Sequence, residues 1–322
     1  MEIIIIGAGI SGLIAGKILN QAGHSVIILE KSSGVGGRMA TRRFKGVVAD
    51  HGAQFFTVRD ASFQSWVESW TRRGVAQVWS CNFSGSNGKS GEHPRYMGIG
   101  GMTSIAKHLA KGQKIYLNHQ VKSISYQESS WVIHSTGGEQ FTARYVLLTA
   151  PVPQSLQMLT DTHSFLSSTD YNTLSAIQYH PCIATILLID GPSRVPPPGG
   201  LKLEKSSIQW LADNNQKGIS TGTTSLTIHA SVEFSRENFQ RDPGYLAESL
   251  IEQANPWLGG QVLDWQIHKW RYSHPNKIYP KRFYQSTTLS NLYFAGDGFG
   301  GPRIEGAALS GISAAHHLLE RE

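Results

Sequence analysis

The chain of 322 residues has only two cysteines, Cys81 and Cys182, and they lie far apart in the sequence. Without a CxxC pair, the chain lacks a dithiol of the kind that disulfide reductases use. It also has neither an HExxH motif nor a cluster of cysteines and histidines, so we predict no metal site. The sequence therefore argues against chemistry based on redox thiols or on a bound metal.

Long apolar runs are missing too. No run approaches the roughly 18 apolar residues that a membrane-spanning helix needs. The first strand-like segment breaks into glycines directly after Ile6, which argues against a signal peptide. Hydrophobic residues make up 40% of the chain and charged residues 16%, which indicates a globular protein rather than a disordered one. We expect a cytoplasmic protein with no membrane span.

Concentrated positive charge is also absent. The net charge is +6, and the lysines and arginines are scattered along the chain. Because no basic stripe with interleaved aromatic residues is present, we expect no nucleic-acid partner. A weak positive field suits an anionic small molecule instead.

Glycine is abundant, and three glycines form the most informative motif. Gly7, Gly9 and Gly12 follow a run of four isoleucines at residues 3–6. Such a run predicts a strand that is buried on both faces. The GxGxxG spacing predicts a tight turn that leads into a helix. The N–H groups at the start of that helix can bind a phosphate group.

The residues after this motif complete a strand–helix–strand unit. Apolar residues recur with helical spacing from Ile14 to Ala22, and Gly23 ends the helix. A second apolar strand at residues 26–29 is followed by Glu30, where a carboxylate can accept hydrogen bonds from an adenosine ribose. This unit predicts dinucleotide binding, but it does not distinguish NAD from FAD.

Two further segments favour FAD. Gly36 and Gly37 can bring the backbone close to a pyrophosphate, and Arg38 can donate a charge-assisted hydrogen bond to it. Later in the chain, a short strand is followed by Asp297, whose carboxylate can accept hydrogen bonds from a ribityl chain. Residues 305–307 then begin a helix whose amide groups can stabilise the negative charge of a reduced flavin.

The pattern of elements predicts the fold class. Both ends of the chain are typical of phosphate-binding α/β units, and the middle is typical of a mixed, antiparallel sheet. We therefore predict an α/β fold in which a Rossmann-type FAD-binding domain carries an inserted substrate domain with a mixed or antiparallel sheet. Residues 141–149 are predicted as one strand, and residues 82–95 as a polar loop rich in glycine and serine. The expected FAD-binding domain contains residues 1–60, 96–151 and 284–322, and the expected substrate domain contains residues 61–95 and 152–283.

Taken together, these motifs resemble the FAD-binding pattern of the flavin amine-oxidase superfamily. The superfamily pattern is carried by the GxGxxG glycines, Glu30 and residues 36–39, 150–151 and 296–297. Within the superfamily, the chain is most similar to the renalase family. That similarity is carried by residues 50–57, 226–229, 269–271 and 296–299, and it extends along nearly the whole chain.

The resemblance implies a noncovalent FAD enzyme with an amine-oxidase-like fold. Its implied substrates are dihydro-NAD(P) isomers reduced at the 2- or 6-position, which transfer a hydride to flavin N5. Molecular oxygen is the implied acceptor, and hydrogen peroxide and NAD(P)+ are the products. The implied cofactor-binding residues are Gly7, Gly9, Gly12, Glu30, Lys31, Gly37, Arg38, Met39, Gln54, Phe55, Val121, Asp297, Glu305, Gly306 and Ala307.

The resemblance also implies that Phe56, His229 and Trp270 lie near the flavin face in the substrate cavity. Alternation along the strand of Trp270 places Leu263, Trp265 and Ile267 on its opposite face, which we expect to be buried under helices. A dihydropyridine needs little acid–base help to release a hydride, so His229 and Trp270 are expected to position the substrate.

Arg271 and Arg303 are candidate partners for a phosphate of the substrate.

Two other functions stay open. One is an oxidase of small amines, although the sequence places no lysine where it would hold a water molecule against flavin N5. The other is a flavin-bearing sensor without turnover, for which the loop at residues 82–95 is the place for a partner contact.

Overall fold

A computed structural model describes residues 1–83, 93–159 and 166–321. Residues 84–92 of the predicted polar loop lie outside the described residues, as do residues 160–165. The chain forms two compact units. Unit 1 contains Met1–Gly37, Ala106–Tyr179 and Pro275–Glu322, and unit 2 contains Arg38–Ile105 and His180–His274.

The described elements form runs of consecutive strands that are separated by single helices or pairs of helices. The helices are α1 (Ile10–Gln21), α2 (Ala61–Arg72), α3 (Thr103–Ala110), α4 (Val152–Met158), α5 (Ser168–Ser175), α6 (Val232–Asn238), α7 (Pro243–Ala254) and α8 (Arg303–Leu319). The strands are β1 (Glu2–Ile6), β2 (Ser25–Leu29), β3 (Thr41–Phe44), β4 (Val47–Asp50), β5 (Ala76–Ser80), β6 (Arg95–Gly98), β7 (Lys114–Tyr116), β8 (Val121–Gln127), β9 (Ser130–Ser135), β10 (Gln140–Ala143), β11 (Tyr145–Leu148), β12 (Gln178–Ile189), β13 (Gly200–Lys202), β14 (Ile208–Asp213), β15 (Thr224–Ala230), β16 (Val262–Lys277), β17 (Tyr284–Gln285) and β18 (Leu292–Phe294). Short 3₁₀ helices lie at Gly37–Met39 and Asn255–Trp257.

Unit 1 is built on a six-stranded sheet with the order β17-β18-β11-β1-β2-β7. Strand β1 pairs in parallel with β2 and with β11, and β17 alone is antiparallel to its neighbour. The isoleucines of β1 are buried, because the strand lies inside the sheet and is covered on both faces. This topology confirms the predicted Rossmann-type unit, with α1 between the first two strands.

Residues 141–149, predicted as one strand, form two strands in different sheets. Strand β10 pairs with β9 in a three-stranded sheet, whereas β11 joins the large sheet next to β1. The apolar pattern runs on through the junction at Arg144, so it gave no sign of the break. Which sheet each half joins depends on partners that are distant in the sequence.

Unit 2 contains a five-stranded sheet with the order β13-β14-β15-β12-β16. Strand β15 pairs in antiparallel orientation with both of its neighbours, β14 and β12. Their aliphatic residues form one core with the apolar side of α7, to which Leu246 and Leu250 belong. This antiparallel sheet confirms the predicted fold class for the middle of the chain.

The expectation that Leu263 and Trp265 are buried was wrong. Leu263 is 58% exposed and Trp265 is 36% exposed. Both belong to β16, which is the edge strand of the five-stranded sheet. Helix α7 covers the interior strands instead, and the residues of β16 that pack against this core are Val262 and Ile267.

The two units divide the chain at different positions from the domains expected from the sequence. Residues 38–60 belong to unit 2, because β4 packs on β15 and the Asp50 amide donates to Asn214 Oδ1 at 3.4 Å. Residues 152–179 belong to unit 1, where α4 and α5 lie.

Within the described ranges, no helix is both long and apolar enough to cross a membrane. The described residues also contain no group of three or more histidines, cysteines and acids that could hold a metal ion.

Candidate functional site

The glycine-rich turn of unit 1 is closed on one side and open on the other. Gly7 has a φ of +109°, which favours glycine, and its N–H donates to the Leu29 carbonyl at 2.8 Å. A Cβ on Gly12 would lie 2.1 Å from the Gly7 carbonyl oxygen, so α1 can approach the turn only with glycine there. A Cβ on Gly9 would meet nothing within 4 Å. The open side at Gly9 leaves space for a ligand above the start of α1.

Two hydroxyl residues that the sequence analysis missed belong to this turn. Thr149 Oγ1, at the end of β11, lies 2.9 Å from the Ile6 carbonyl oxygen and 3.0 Å from that of Gly7. Ser11, in the first turn of α1, is 4% exposed, and its Oγ has no hydrogen-bond partner among the described residues. A buried hydroxyl without a partner at a helix N-terminus fits a phosphate oxygen. Ser11 was visible in the sequence only as one of the variable positions of GxGxxG.

Glu30 is held beside the turn by backbone donors. Its Oε2 accepts from the Ala8 N–H at 2.8 Å, and its Oε1 accepts from the Ser32 N–H at 2.9 Å. The side chain is buried, and each oxygen keeps a second lone pair for a ribose hydroxyl. Lys31, the next predicted residue, is exposed.

The glycine pair Gly36 and Gly37 lies against the glycine-rich turn. The Gly36 N–H donates to the Ala8 carbonyl at 2.8 Å. A Cβ on Gly37 would lie 3.5 Å from Gly9 Cα. The structure thus brings these two glycines against the GxGxxG motif within unit 1.

The last predicted cofactor segment surrounds the start of α8. The Gly296 N–H donates to Ser310 Oγ at 2.8 Å, and the adjacent Asp297 is 6% exposed. Glu305, Gly306 and Ala307 lie in the first turns of α8. A Cβ on Gly311 would lie 2.3 Å from the Ser11 carbonyl oxygen, so α8 packs closely on α1. Val121 is buried at the start of β8.

These residues of unit 1 fit an extended dinucleotide. The open turn at Gly9 and the orphaned Ser11 hydroxyl suit a diphosphate. The buried carboxylates of Glu30 and Asp297 suit hydroxyl groups on either side of it. FAD carries a diphosphate between two polyol segments, and the chemistry of the donors matches that ligand.

Unit 2 contains a second polar site, centred on the carbonyl oxygen of His51. Trp270 Nε1 donates to this oxygen at 2.9 Å, and His229 Nε2 lies 3.2 Å from it. The rings of His51 and Trp270 stack with centroids 5.4 Å apart. His268 packs against Trp270 with centroids 4.2 Å apart. The structure thus joins His229 and Trp270, which the sequence analysis paired, through a residue that it did not identify as part of the site.

The histidines of this site are uncharged at neutral pH. Burial, and then the nearby His268 and Arg42, lower the pKa of His51 to about 3. Burial also lowers the pKa of His229 to about 4, and the charge of Lys217 acts in the same direction. A buried imidazole without a counter-ion is more stable when neutral.

A buried ion pair supports the segment that carries His51. Lys217 Nζ lies 2.8 Å from Asp50 Oδ2, and neither side chain is exposed to solvent. Lys217 Nζ also donates to the Gln54 carbonyl at 2.7 Å and lies 4.6 Å from the centroid of the Trp79 ring. Asp50 Oδ1 accepts from the Met102 N–H at 2.9 Å. No sequence pattern indicates this pair, because its members are distant in the chain.

Several predicted residues lie elsewhere in unit 2. Phe56 is buried in an aromatic cluster, stacked on Tyr96 with centroids 5.7 Å apart. Phe55 packs against Trp210 with centroids 5.5 Å apart. Gln54 is buried, and its Nε2 donates to the Asp50 carbonyl. The roles of Phe55, Phe56 and Gln54 toward a ligand stay predictions.

The predicted anion-binding residues have varied surroundings. Arg38 Nη1 donates to the Ser273 carbonyl at 3.3 Å, and the neighbouring Met39 is buried. The guanidinium of Arg271 lies 5.0 Å from the centroid of the Phe239 ring. Arg303 is exposed and has a φ of +73°. Binding of an anion by these arginines stays a prediction.

The fold and the unit 1 site define a dinucleotide-binding α/β protein. Residues 5–69 match the model of an NAD(P)-binding Rossmann-like domain, and residues 81–319 match that of flavin containing amine oxidoreductases. The second match covers more than half of the chain, and the chain therefore belongs to the flavin-containing amine oxidoreductase family. It is an FAD-dependent oxidoreductase.

Individual relatives agree with this assignment. The chain is 24% identical to mouse renalase over 97% of both proteins. This similarity supports a renalase-like member of the superfamily. It is 41% identical to polyamine oxidase 7 of rice, but over only 24% of this chain and 14% of that protein.

Solved structures share the fold. A variant of putrescine oxidase superposes with a TM-score of 0.72 at 14% identity, covering 100% of this chain and 99% of that one. An oxidoreductase from Methanosarcina mazei superposes with a TM-score of 0.69 at 18% identity, covering 98% of this chain and 100% of that one. These likenesses confirm the amine-oxidase-like fold.

Proposed function

We propose that this FAD-dependent oxidoreductase oxidises dihydro-isomers of NAD(P) in which the nicotinamide ring is reduced at the 2- or 6-position. The products are NAD(P)+ and, with molecular oxygen as acceptor, hydrogen peroxide. The similarity to mouse renalase over 97% of both proteins supports a renalase-type substrate rather than one shared by the whole superfamily.

The observation that carries the proposal is the meeting of Trp270 Nε1 and His229 Nε2 at the His51 carbonyl, where burial lowers the pKa of both histidines. A base with a pKa of about 3 or 4 is a poor acceptor for the proton of an ammonium ion. An amine must lose that proton before it can be oxidised. A dihydropyridine does not, because the lone pair of its ring nitrogen drives the departure of the hydride. The site therefore suits a donor that needs no general base.

The surroundings of Lys217 support the same choice. Its ammonium group is engaged by the Asp50 carboxylate, the Gln54 carbonyl and the Trp79 ring, and its side chain is wholly buried. A lysine in this state is not available to hold a water molecule for catalysis. This buried lysine therefore does not favour the amine-oxidase alternative.

The two sites have separate tasks under this proposal. Bound FAD would supply the acceptor for the hydride and the route for its electrons to oxygen. In unit 1, the amides of the glycine-rich turn and the Ser11 hydroxyl bind its diphosphate, while Glu30 and Asp297 bind its hydroxyl groups. In unit 2, Trp270 and His229 orient the dihydronicotinamide ring, since a shared hydrogen bond acceptor holds both side chains in place.

Anaerobic mixing of the FAD-loaded protein with 2-, 4- and 6-dihydro-NAD(P) tests the proposal, with the flavin absorbance as readout. We expect the 2- and 6-isomers to bleach the flavin rapidly. Bleaching by small amines alone would instead identify an amine oxidase. A flavin that dithionite reduces but that none of these donors reduces would identify a sensor and refute turnover altogether.

A matched variant links the reaction to unit 2. Trp270→Phe retains an aromatic ring but removes the N–H that bonds to the His51 carbonyl. We expect slower bleaching by the 2- and 6-isomers at unchanged flavin content. Trp265→Phe, on the exposed part of β16, is the control and should behave as the unaltered protein.

A further inference from the structure

The hydrogen bond of His229 fixes which of its ring nitrogens carries the proton. Nε2 lies 3.2 Å from the His51 carbonyl oxygen, and a carbonyl oxygen can only accept. Nε2 is therefore protonated, and in a neutral imidazole the other nitrogen, Nδ1, is then an acceptor. In the parts of the chain that the structure describes, no donor lies within hydrogen-bonding distance of Nδ1. His229 is half-buried, and its Nδ1 is not among the fully buried polar atoms that lack a partner, so this acceptor is accessible.

Two further features keep Nε2 of His229 protonated and Nδ1 free of a proton. Trp270 Nε1 donates to the same oxygen at 2.9 Å, so the two lone pairs of the His51 carbonyl are both engaged. Burial lowers the pKa of His229 to about 4, which keeps the ring neutral at physiological pH. The acceptor at Nδ1 is thus a stable property of the folded protein.

The electrostatic surroundings select the kind of donor that Nδ1 can bind. Burial disfavours a positive charge at His229, and the charges of Lys217 and Asp50 act on it in opposite directions. A neutral N–H group is therefore preferred to an ammonium group. The neighbouring Trp270 packs against His51 and His268 but is only half-buried, so the exposed part of its ring can contact a flat group. A primary amide attached to a ring meets both requirements.

We propose that His229 Nδ1 accepts a hydrogen bond from the carboxamide N–H of the dihydronicotinamide and thereby makes the enzyme specific for a primary amide on that ring. This inference rests on the proposed function. It assigns His229 a specificity role through one atom, and no role in proton transfer.

The test compares two substrates that differ at the amide alone. The 2- and 6-dihydro forms of the 3-acetylpyridine analogue of NAD retain the carbonyl but carry a methyl group in place of the amide nitrogen. Leaving a polar acceptor without its donor costs about 10- to 100-fold. We therefore expect the unaltered enzyme to prefer the amide by that factor in kcat/KM, mainly through KM. The dissociation constants of the two oxidised dinucleotides, measured from the shift of the flavin spectrum, should show the same preference.

Two variants identify the atom. In His229→Gln, the amide reaches the position of Nε2 and retains the donor to His51, but nothing replaces Nδ1. The preference for the amide should fall to within about threefold. In His229→Asn, the amide lies near the position of Nδ1 and can still accept, so part of the preference should return. His180→Gln, which alters a histidine that is hydrogen-bonded to Arg236 and lies outside this site, should keep the preference of the unaltered enzyme.

The outcomes separate this inference from the proposed function. If the enzyme oxidises the dihydronicotinamides but His229→Gln keeps the full preference for the amide, the inference is wrong and the function stands. Equal kcat/KM for both substrates in the unaltered enzyme would also overturn it. If neither substrate is oxidised, the proposed function fails. Equal dissociation constants for the two oxidised dinucleotides would then reject the Nδ1 contact as well.

Discussion

Replacing Lys217 with methionine should strongly destabilise unit 2. Methionine has a similar length but no charge, so the variant leaves the Asp50 carboxylate buried without its counter-ion. Both side chains are fully buried, with Nζ 2.8 Å from Oδ2. Removing one member of a buried pair costs about 3–5 kcal/mol of unfolding free energy. The Gln54 carbonyl loses its donor at the same time, which places the expected loss toward the upper end of that range.

The double variant Lys217→Met/Asp50→Asn should recover much of this loss. Asparagine removes the unpaired charge and retains an oxygen that can accept from the Met102 N–H. Replacing a buried ion pair by neutral groups is often close to neutral for stability. We expect the double variant to be more stable than Lys217→Met by at least about 2 kcal/mol, which corresponds to a strong coupling between the two sites.

Urea denaturation measures these differences, with FAD present at one saturating concentration for every variant because a bound ligand adds to apparent stability. The slope of unfolding free energy against urea should stay constant while the midpoint falls. A loss below about 1 kcal/mol for Lys217→Met would refute the reasoning, as would additive effects of the two substitutions.

Three other variants test separate features. Arg38→Ala should weaken FAD binding by about 10- to 100-fold, because a charge-assisted hydrogen bond contributes roughly 1.5–3 kcal/mol. An unchanged flavin content in this variant would show that Arg38 does not bind the diphosphate. Arg43→Ala, in exposed strand β3, is the matched control and should retain FAD. Arg303→Gly should raise the unfolding free energy by up to about 1 kcal/mol, because glycine adopts the φ of +73° without strain; a thermal melt that shows destabilisation would contradict this. Burial holds the pKa of the folded His229 at about 4, so between pH 6.5 and 4 the unfolded chain binds a proton at this residue and the folded chain does not. As the pH falls through this range, the free energy of unfolding therefore falls by up to about 1.4 kcal/mol per pH unit from this group. His229→Gln should therefore lose less stability than the unaltered protein over that range in urea titrations, and equal slopes would show that the folded His229 is not held neutral.

The first strand–helix–strand unit was predictable because its signals are local. Buried isoleucines, the glycine spacing and the acid at Glu30 all lie within one short segment. The confirmed class of cofactor follows from the same kind of signal repeated at residues 36–39 and 296–297.

The errors and omissions concern partners that are far apart in the sequence. The break at Arg144 depends on which sheet each neighbouring strand joins. The exposure of Leu263 depends on where α7 packs, and strand alternation carries no such information. The pairing of Lys217 with Asp50 brings together two residues separated by 167 positions, and no local pattern marks either as buried. A polar residue that is buried by a distant partner is the kind of feature that pattern reading misses.

The packing of α8 on α1 has a consequence for the order in which the protein matures. Strand β18 and α8 belong to the same unit as the glycine-rich turn, and Gly311 touches the backbone of Ser11. A ribosome that is still synthesising residues 292–319 holds a chain whose large sheet lacks one inner strand and whose first helix lacks its neighbour. Capture of the flavin nucleotide therefore waits until residues 292–319 have been synthesised, and until then the side of the first helix that packs on α8 stays uncovered.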